Sequence, residues 1–184
     1  MLTLFVSLGM TYNYIHYESP VGRMILASYE GELVMTDWYY RKQRELIDKR
    51  ISKFLNADPI CQIDPLLLES ERQLKAYFKG RLKVFDLPIK PCGSEFQKSV
   101  WIKLNEIPFG QLSTYKQLAI ELGSLESIRA IAAANGANAL SLLVPCHRVV
   151  GSDGSLVGYA GGLVAKRKLL SLERGGFGDL FGVE

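Results

Sequence analysis

The feature that most constrains the fold is a change in character partway along the chain, at the segment LKVFDLPIKPCGS. This segment, residues 82–94, has two prolines and a glycine and no hydrophobic periodicity, which is typical of a linker. β-rich runs precede it and helical patterns follow it. We therefore predict an α+β protein with an N-terminal α/β domain over 11–90 and a C-terminal domain over 91–184. A single domain with one core is the alternative for 184 residues.

The composition is that of an ordinary globular protein, because 48% of the residues are hydrophobic and 22% are charged. The net charge of +3 permits an anionic partner such as nucleic acid but does not require one. Cys61, Cys92 and Cys146 lie far apart without a CxxC pair, which indicates neither a disulfide framework nor a compact zinc site. This use of cysteine favours a reducing, cytoplasmic location.

The opening stretch MLTLFVSLGM is apolar, but it lacks a basic region and is too short for a signal peptide or a membrane span. We interpret residues 1–10 as a disordered or start-site extension, since Met10 is itself a candidate start. No later segment reaches ~18 uninterrupted apolar residues. We therefore expect no membrane partner.

The N-terminal half predicts a small antiparallel sheet with helices. Three β-rich runs between residues 12 and 38 are separated by SPVG and EG, the turn signals of hairpins; they are YNYIHY, RMILASY and ELVMTDW. Helical spacing then predicts a helix over 41–55, with one apolar side made of Leu46, Ile47, Ile51, Phe54 and Leu55. The stretch LESERQLKAYFKG predicts a second helix that ends at Gly80.

The C-terminal half predicts helices throughout. Ser94 is placed to cap EFQKSVWIKLNEI, whose apolar stripe contains Phe96, Val100, Trp101 and Leu104. Ser113 or Thr114 begins the next helix, TYKQLAIELG, which Gly123 ends, and SLESIRAIAAAN follows after a short turn. Two helices joined by a glycine-containing turn predict a helix-turn-helix.

The second helix of this pair is poor in side chains that read bases. The stretch RAIAAANGANA offers only Arg129, Asn135 and Asn138 as polar groups, whereas a base-reading helix needs several long donors and acceptors. One interpretation is a buried alanine helix that packs against its neighbours. The other is a helix that binds DNA with little sequence preference, with Arg129 as the one long cation able to fill a gap.

The stretch VPCHR places a thiol next to an imidazole. Pro145 favours an extended segment or a tight turn at Cys146. A thiol needs a neighbouring base to ionise near neutral pH, and His147 is the candidate, reached through a water because consecutive side chains do not face each other. An orienting carboxylate is also needed, and Glu173 is the acid after Gly151 that lies in a strong helical pattern. The alternative is a structural thiol beside a core histidine.

The combination of these motifs resembles the O6-alkylguanine-DNA alkyltransferases, also called methylated-DNA–protein-cysteine methyltransferases. PCHRV, GYAGG and KRKLLSLERG resemble that family's active-site region, and FQKSVWIKLNEIPFGQLSTYKQLA and RAIAAANGAN match the part before it. The resemblance is strong over 94–175 and holds only in general plan before that. It implies a ribonuclease H-like N-terminal domain and a helical, DNA-binding C-terminal domain.

The resemblance also implies roles for individual residues. Cys146 would accept the alkyl group irreversibly from O6 of guanine in a single turnover, without strand cleavage. His147, reached through water and oriented by Glu173, would take the thiol proton, and Asn138 would steady the turn. Tyr115 would donate a hydrogen bond to the departing guanine. O4-alkylthymine is a further substrate that the resemblance leaves open.

Two surfaces follow from the same resemblance. The substrate pocket would be formed by Tyr159, Ala160, Val149 and Gly161, with alanine at position 160 leaving only a backbone amide to address O6. The minor groove of double-stranded DNA would be bound with little sequence specificity, and Arg129 would fill the space of the flipped nucleotide. The expected DNA-binding residues are Arg129, Ala130, Tyr115, Ala134, Asn135 and Gly136.

We expect no metal and no cofactor. We expect the protein to be a monomer. Some relatives hold zinc in the N-terminal domain, but here only His16 and Cys61 precede Cys92, too few for four ligands. Three rival functions remain: a damage sensor that binds without reacting, a hydrolase that uses a Cys-His pair with multiple turnovers, and a purely structural helix-turn-helix module.

Overall fold

The computed structural model describes residues 9–175. The predicted extension at 1–10 therefore lies outside the described residues except for its last two positions, and Met10 is the first residue of a strand. The elements, in chain order, are β1 (Met10–Ser19), β2 (Gly22–Tyr29), β3 (Glu32–Trp38), α1 (Arg44–Leu55), β4 (Ala57–Cys61), α2 (Pro65–Phe78), α3 (Glu95–Asn105), β5 (Ser113–Thr114), α4 (Tyr115–Glu121), α5 (Ile128–Gly136), β6 (Val149–Val150) and α6 (Gly162–Glu173).

The N-terminal sheet is mixed rather than purely antiparallel. Its strand order is β3-β2-β1-β4, and the predicted hairpins pair β1 with β2 and β2 with β3. The prediction of a purely antiparallel sheet is wrong because of β4, which pairs parallel to β1. No strand signal marks β4 in the sequence. Its residues, ADPIC, include a proline and are mostly exposed, so neither alternation nor an apolar run marks the strand. An edge position tolerates such a sequence.

The two N-terminal helices begin at other residues than predicted. α1 begins at Arg44 rather than Arg41, and only its narrow face of Ile47, Ile51 and Leu55 is buried, while Leu46 and Phe54 are exposed. α2 begins at Pro65, which suits the first turn because no amide hydrogen is needed there. Asp64 caps this helix by accepting a hydrogen bond from the Leu67 amide at 2.9 Å.

The C-terminal helices follow the predicted caps. Ser94 and Gln97 form a reciprocal capping box at the start of α3, although Phe96 of the expected apolar stripe is 43% exposed. Thr114 caps α4 through the Gln117 amide, and a short 3₁₀ turn at Leu125–Ser127 leads into α5. The α4–α5 pair is the helix-turn-helix.

One apolar core runs through both halves of the chain. Leu26 and Trp38 of the sheet belong to the same buried cluster as Val100, Ile131 and Leu169 of the helices. The packing is therefore continuous across the boundary predicted near Pro91. The domain boundaries at 11–90 and 91–184 therefore stay a prediction.

The edge of β3 that no other strand within residues 9–175 pairs with is one of the places where the two halves join. The amide of Leu33 donates to the Pro88 carbonyl in the linker at 2.8 Å. Further along the same strand, the amide of Thr36 donates to the Ala139 carbonyl at 2.9 Å, and its hydroxyl donates to the Ser141 carbonyl at 2.8 Å. An edge strand needs such cover, and here part of the cover is the segment that leads to Cys146.

Candidate active site

A single 3₁₀ turn, Cys146–Arg148, presents the thiol. Pro145 precedes it, and the Arg148 amide closes the turn on the Pro145 carbonyl at 3.0 Å. Val149 then pairs with Ser113 of β5, which anchors the turn beside the start of α4. The Cys146 side chain is buried, with a residue exposure of 2%. The thiol is therefore held in one position, in the tight turn that Pro145 predicts.

Asn138 connects this turn to the end of α5. Its side-chain nitrogen donates to Cys146 Sγ at 3.2 Å and to the Val144 carbonyl at 2.9 Å. Its side-chain oxygen accepts a hydrogen bond from the Leu140 amide at 2.8 Å. All three of these groups are buried, so Asn138 has no freedom to turn its amide away from the sulfur.

His147 is oriented by Glu173. Its Nε2 lies 2.8 Å from Glu173 Oε1, and both side chains are fully buried. The other ring nitrogen, Nδ1, is also buried and finds no hydrogen-bond partner among residues 9–175. No hydrogen bond joins His147 to Cys146 within that range. Of the expected series Cys146, His147 and Glu173, the last two are therefore in direct contact. The imidazole Nδ1, unpaired in that part of the chain, is the nitrogen that a proton relay through water to the sulfur would use.

Glu173 is the most heavily bonded carboxylate of the site. It accepts hydrogen bonds from the Tyr77 hydroxyl at 2.8 Å, the Gly110 amide at 3.0 Å, and Arg148 Nε and Nη2 at 2.9 and 3.0 Å. Tyr77 belongs to the N-terminal half and carries no local sequence signal for this role. Arg148 makes structural hydrogen bonds, including one to the Ile107 carbonyl at 2.7 Å.

Burial controls the ionisation of these groups. Burial raises the pKa of the Cys146 thiol, and the hydrogen bond from Asn138 opposes that rise. Burial lowers the pKa of His147, against the effect of Glu173, so the imidazole is neutral near pH 7. Burial would raise the pKa of Glu173, but hydrogen bonds from His147 and Arg148 outweigh it and hold the pKa well below its ordinary value. The site thus contains a neutral thiol, a neutral base and a carboxylate.

Cys146 opens onto a cavity of about 610 Å³. The walls are mainly apolar side chains and backbone from both halves of the chain, which suits a flat aromatic ligand. The residues that line it are Tyr40, Arg41, Lys42, Gln43, Tyr115, Ala132, Asn135, Gly136, Cys146, Val157, Gly158, Tyr159, Ala160 and Gly162. The four residues of the 40–43 turn, from the N-terminal half, were missed by sequence reasoning because nothing local marks them.

Two expected pocket residues lie on the cavity and two do not. Tyr159 and Ala160 line it, and the Tyr159 ring packs edge to face against Trp38 with the centroids 5.7 Å apart. Val149 is buried in β6 instead. Gly161 faces the core, where an added Cβ would lie 2.5 Å from the Trp38 ring. Neither residue lines the cavity.

The expected DNA-binding residues also divide. Arg129 and Ala130 are exposed on α5, and Gly136 is exposed at its end, where it lines the cavity. Asn135 is buried and donates to the Tyr115 hydroxyl at 3.1 Å, which places both side chains on the cavity wall. Ala134 is buried in the apolar core, so the structure does not bring its side chain to a surface.

Lys166 is a buried cation that sequence reasoning missed. Its ammonium donates to the carbonyls of Val149 and Val157, and so joins the turn after Cys146 to the loop that walls the cavity. Burial lowers its pKa to about 8. Its sequence position in α6, among other cations, gives no sign that this lysine points inward.

Residues 9–175 contain no group of three or more His, Cys, Asp or Glu side chains arranged to hold a metal ion. Within that same part of the chain, no helix has both the length and the apolar character needed to cross a membrane.

Comparison with known proteins gives one consistent family. Residues 95–175 match the model of the 6-O-methylguanine DNA methyltransferase DNA binding domain, and residues 12–91 match that of its ribonuclease-like domain. The methylated-DNA–protein-cysteine methyltransferase of Methanosarcina barkeri is 45% identical over 85% of this chain and 93% of its own length. The constitutive enzyme of Bacillus subtilis is 36% identical over 88% and 94%.

Solved structures agree with this assignment. The crystal structure of Mycobacterium tuberculosis OGT in complex with DNA matches with a TM-score of 0.73 and 34% identity, and covers 90% of this chain and 94% of that chain. A hyperthermophilic archaeal O6-methylguanine-DNA methyltransferase, from Pyrococcus kodakaraensis, has the same fold at 21% identity, with a TM-score of 0.66, 89% of this chain and 99% of that chain. The chain therefore belongs to the 6-O-methylguanine DNA methyltransferase family.

Proposed function

We propose that this protein repairs DNA by moving the alkyl group from O6 of an alkylated guanine onto the sulfur of Cys146, once per protein molecule. The observation that carries this proposal is the position of Cys146. Its thiol lies at the wall of a 610 Å³ cavity, while the carboxylate of Glu173 orients the neighbouring imidazole of His147. A damage sensor that only binds does not need a base such as His147 beside its cysteine. A hydrolase would in addition have to release the group bound to Cys146 and regenerate the thiol.

The transfer uses the thiol of Cys146, the imidazole of His147 and the carboxylate of Glu173. His147 Nδ1 takes the thiol proton through a water, and Glu173 stabilises the imidazolium that forms. The thiolate attacks the alkyl carbon, an S–C bond forms, and the C–O bond breaks with its electron pair left on guanine. Tyr115 donates a hydrogen bond to the purine, and the proton released by the thiol reaches the purine ring through solvent as the C–O bond breaks, so the base leaves neutral. Because the thioether is stable, the protein is consumed.

The cavity explains how an alkylated base is recognised. Tyr115, Tyr159 and Ala160 line it, and the backbone amide of Ala160 would be the donor at that position for O6. The alkylated oxygen is hidden inside a base stack, so the nucleotide must be turned out of the duplex at a cost of a few kcal/mol. A damaged pair is weakly held and lowers that cost. O4-alkylthymine would meet the same thiol if it enters the cavity.

The DNA surface that we propose is centred on α5. Arg129 is exposed there and would occupy the space left by the flipped nucleotide, while Ala130 and Gly136 let the backbone approach the minor groove closely. Little sequence specificity follows, because small side chains cannot read base edges. The complex of the M. tuberculosis relative with DNA supports a DNA partner. We further propose a monomer that acts in the cytoplasm, where Cys61, Cys92 and Cys146 stay free.

The deciding experiment is intact mass spectrometry after incubation with duplex DNA that contains one O6-methylguanine. We expect a gain of one methyl group, located on Cys146 by peptide mapping, and no more than one per protein. Cys61→Ser and Cys92→Ser should gain the same mass, whereas Cys146→Ala should gain none. Binding without a mass change would favour the sensor. Repeated turnover of an ester or amide that needs Cys146 would favour the hydrolase.

A further inference from the structure

Two arginines of the N-terminal half bind the end of α5. The carbonyls of Gly136, Ala137 and Asn138 are consecutive, and each accepts a hydrogen bond from a guanidinium. Arg41 donates through Nη2 to Gly136 and through Nη1 to Asn138 at 3.0 Å, and Arg50 donates to Ala137 at 2.8 Å. The last carbonyls of a helix have no partner within the helix and carry the negative end of its dipole, so cations here are stabilising.

This helix end leads directly to the reacting sulfur. Asn138, whose carbonyl Arg41 binds, is also the residue whose side-chain amide donates to Cys146 Sγ. A shift of the backbone at 136–138 would therefore move the donor away from the sulfur. A hydrogen bond at 3.2 Å weakens steeply when its geometry changes, so the backbone anchor matters to the thiol.

Arg41 is fixed from its own side as well. It is 6% exposed and forms an ion pair with Asp37, which is 0% exposed. The other oxygen of Asp37 accepts a hydrogen bond from the Ser141 hydroxyl at 3.4 Å. The Arg41–Asp37 ion pair thus contacts both ends of the segment from Asn138 to Ser141. Arg41 also lines the cavity.

We propose that Arg41 is a positioning residue for alkyl transfer: its guanidinium fixes the backbone at Gly136 and Asn138 and thereby holds the Asn138 amide against the sulfur of Cys146. The inference rests on the proposed function of Cys146 and gives the N-terminal half a part in it. A planar guanidinium is required, because a single ammonium cannot bind two carbonyls and a carboxylate in fixed directions.

The test uses Arg41→Gln in the full chain. Iodoacetamide labels the Cys146 thiolate, and the rate is followed by peptide mass spectrometry from pH 6 to pH 10. We expect labelling about tenfold slower at neutral pH and a rate profile with its midpoint at higher pH, since the thiolate loses both an aligned donor and a nearby cation. Methyl transfer from O6-methylguanine DNA should slow in proportion.

The variant can fold because Asp37 keeps a second cation. Arg44 Nη1 lies 2.9 Å from Asp37 Oδ2, so the buried carboxylate is not left unpaired. Arg41→Lys is the second variant. It retains the positive charge but not the planar guanidinium, whose two terminal nitrogens bind separate carbonyls. We expect it to recover only the part of the midpoint shift that comes from the cation, and to stay slow above that midpoint, where the thiolate is already formed and only its alignment limits the rate.

Arg50→Gln is the matched control because Arg50 binds the same helix end but no group of Asn138. It should lower the free energy of unfolding and shift the labelling profile of Cys146 much less than Arg41→Gln does, because Arg50 holds only the middle one of the three carbonyls. The inference is overturned if Arg41→Gln labels like the native protein, or if Arg50→Gln changes the profile equally. Failure of the proposed function looks different: the native protein would then gain no methyl from DNA, whatever Arg41 does to the labelling profile.

Discussion

At the scale of single residues, the carboxylate of Glu173 holds the site together. It satisfies Tyr77, Gly110, His147 and Arg148 from inside the protein, where no water can replace a lost partner. An amide in its place has one acceptor atom and brings two hydrogens toward groups that are already donors. The negative charge that balances Arg148 would also vanish.

We therefore expect Glu173→Gln to lower the free energy of unfolding by about 3–5 kcal/mol, the usual loss when one member of a buried ion pair is removed. Urea unfolding at pH 7 measures it. Glu126→Gln is the control, since Glu126 is exposed in the turn before α5. Equal unfolding energies for the two variants would contradict this role of Glu173.

Arg129 is the residue whose proposed role depends on the duplex. Its side chain is exposed on α5 and does not line the cavity, so it should matter to base extrusion and not to the reaction within the pocket. Arg129→Ala should slow transfer from a duplex by about tenfold, a part of the few kcal/mol that extrusion requires, and leave the reaction with free O6-methylguanine unchanged. Single-turnover assays with both substrates measure this.

Arg81→Ala serves as the control for Arg129, because Arg81 is exposed in the turn after α2. It should react like the native protein with both substrates. Slowing of both reactions by Arg129→Ala to the same degree would refute a role in extrusion.

At the scale of elements, the loop before α6 is shaped by contact with the sheet. Gly161 lies against Trp38, which is fully buried and packs against Tyr159 of the same loop. The Trp38 ring is enclosed by the core and has little room to move aside. A methyl group at this position must displace the ring or the loop and thereby the cavity wall.

Gly161→Ala should lower the free energy of unfolding by about 1–3 kcal/mol, the range for overpacking a core, and should slow methyl transfer. Thermal or urea unfolding measures the first effect and single-turnover transfer the second. Gly158→Ala is the stability control, because an added Cβ there meets nothing within 4 Å. If Gly161→Ala has the same free energy of unfolding as the native protein, the Trp38 ring can shift to accommodate the methyl group, and the prediction is wrong.

Helix ends and helix faces differ in how well the sequence predicts them. The cap at Ser94 depends on Gln97, three residues away, and this short-range pattern was readable. The buried face of α1 depends on what packs against it, and there Leu46 and Phe54, which share the predicted apolar side, are exposed. The strand β4 was missed because only its pairing with β1 makes it a strand.

At the scale of the whole molecule, the two halves share the buried polar network. Tyr77 of α2 donates to Glu173 of α6, so part of the site's hydrogen bonding comes from the N-terminal half. Tyr77→Phe removes only the hydroxyl, and we expect it to lower the free energy of unfolding by about 1.5–3 kcal/mol, as for a hydrogen bond to a charged group. Denaturant unfolding measures it.

The matched change is Tyr17→Phe, at another buried tyrosine, whose hydroxyl makes no hydrogen bond within residues 9–175. It should have little effect. If the two variants are equally stable, the contact between Tyr77 and Glu173 does not join the halves energetically.

The stability of the whole molecule should also depend on acid. Burial lowers the pKa of His147 below its ordinary 6.5, so below that pH the unfolded chain takes up a proton that the folded protein refuses. The pKa of Glu173 is held below its ordinary 4.5. The stabilisation of the folded state by this carboxylate is therefore fully present above pH 4.5 and is lost as the pH falls further. Both signs predict a loss of stability on acidification, in two stages.

Urea unfolding between pH 8 and pH 2 tests this, with a slope from His147 that approaches about 1.4 kcal/mol per pH unit roughly one unit below pH 6.5. His147→Gln should remove that first stage. His16→Gln should keep most of it, because His16 is exposed. An unchanged pH profile in His147→Gln would contradict the buried neutral imidazole.

The sequence by itself determined the hairpins, the capped helices and the tight turn that fixes Cys146, because each depends on residues within a few positions of one another. It also pointed to Glu173 as the partner of His147, through one helical pattern and a family resemblance. Only the tertiary structure decided that Tyr77, Arg41 and the 40–43 turn belong to the site, and that Ala134, Val149 and Gly161 face inward. Buried charges and carbonyls must be satisfied by whatever the packing brings near, and those partners can be distant along the chain: Arg41 and Asn138 are 97 positions apart.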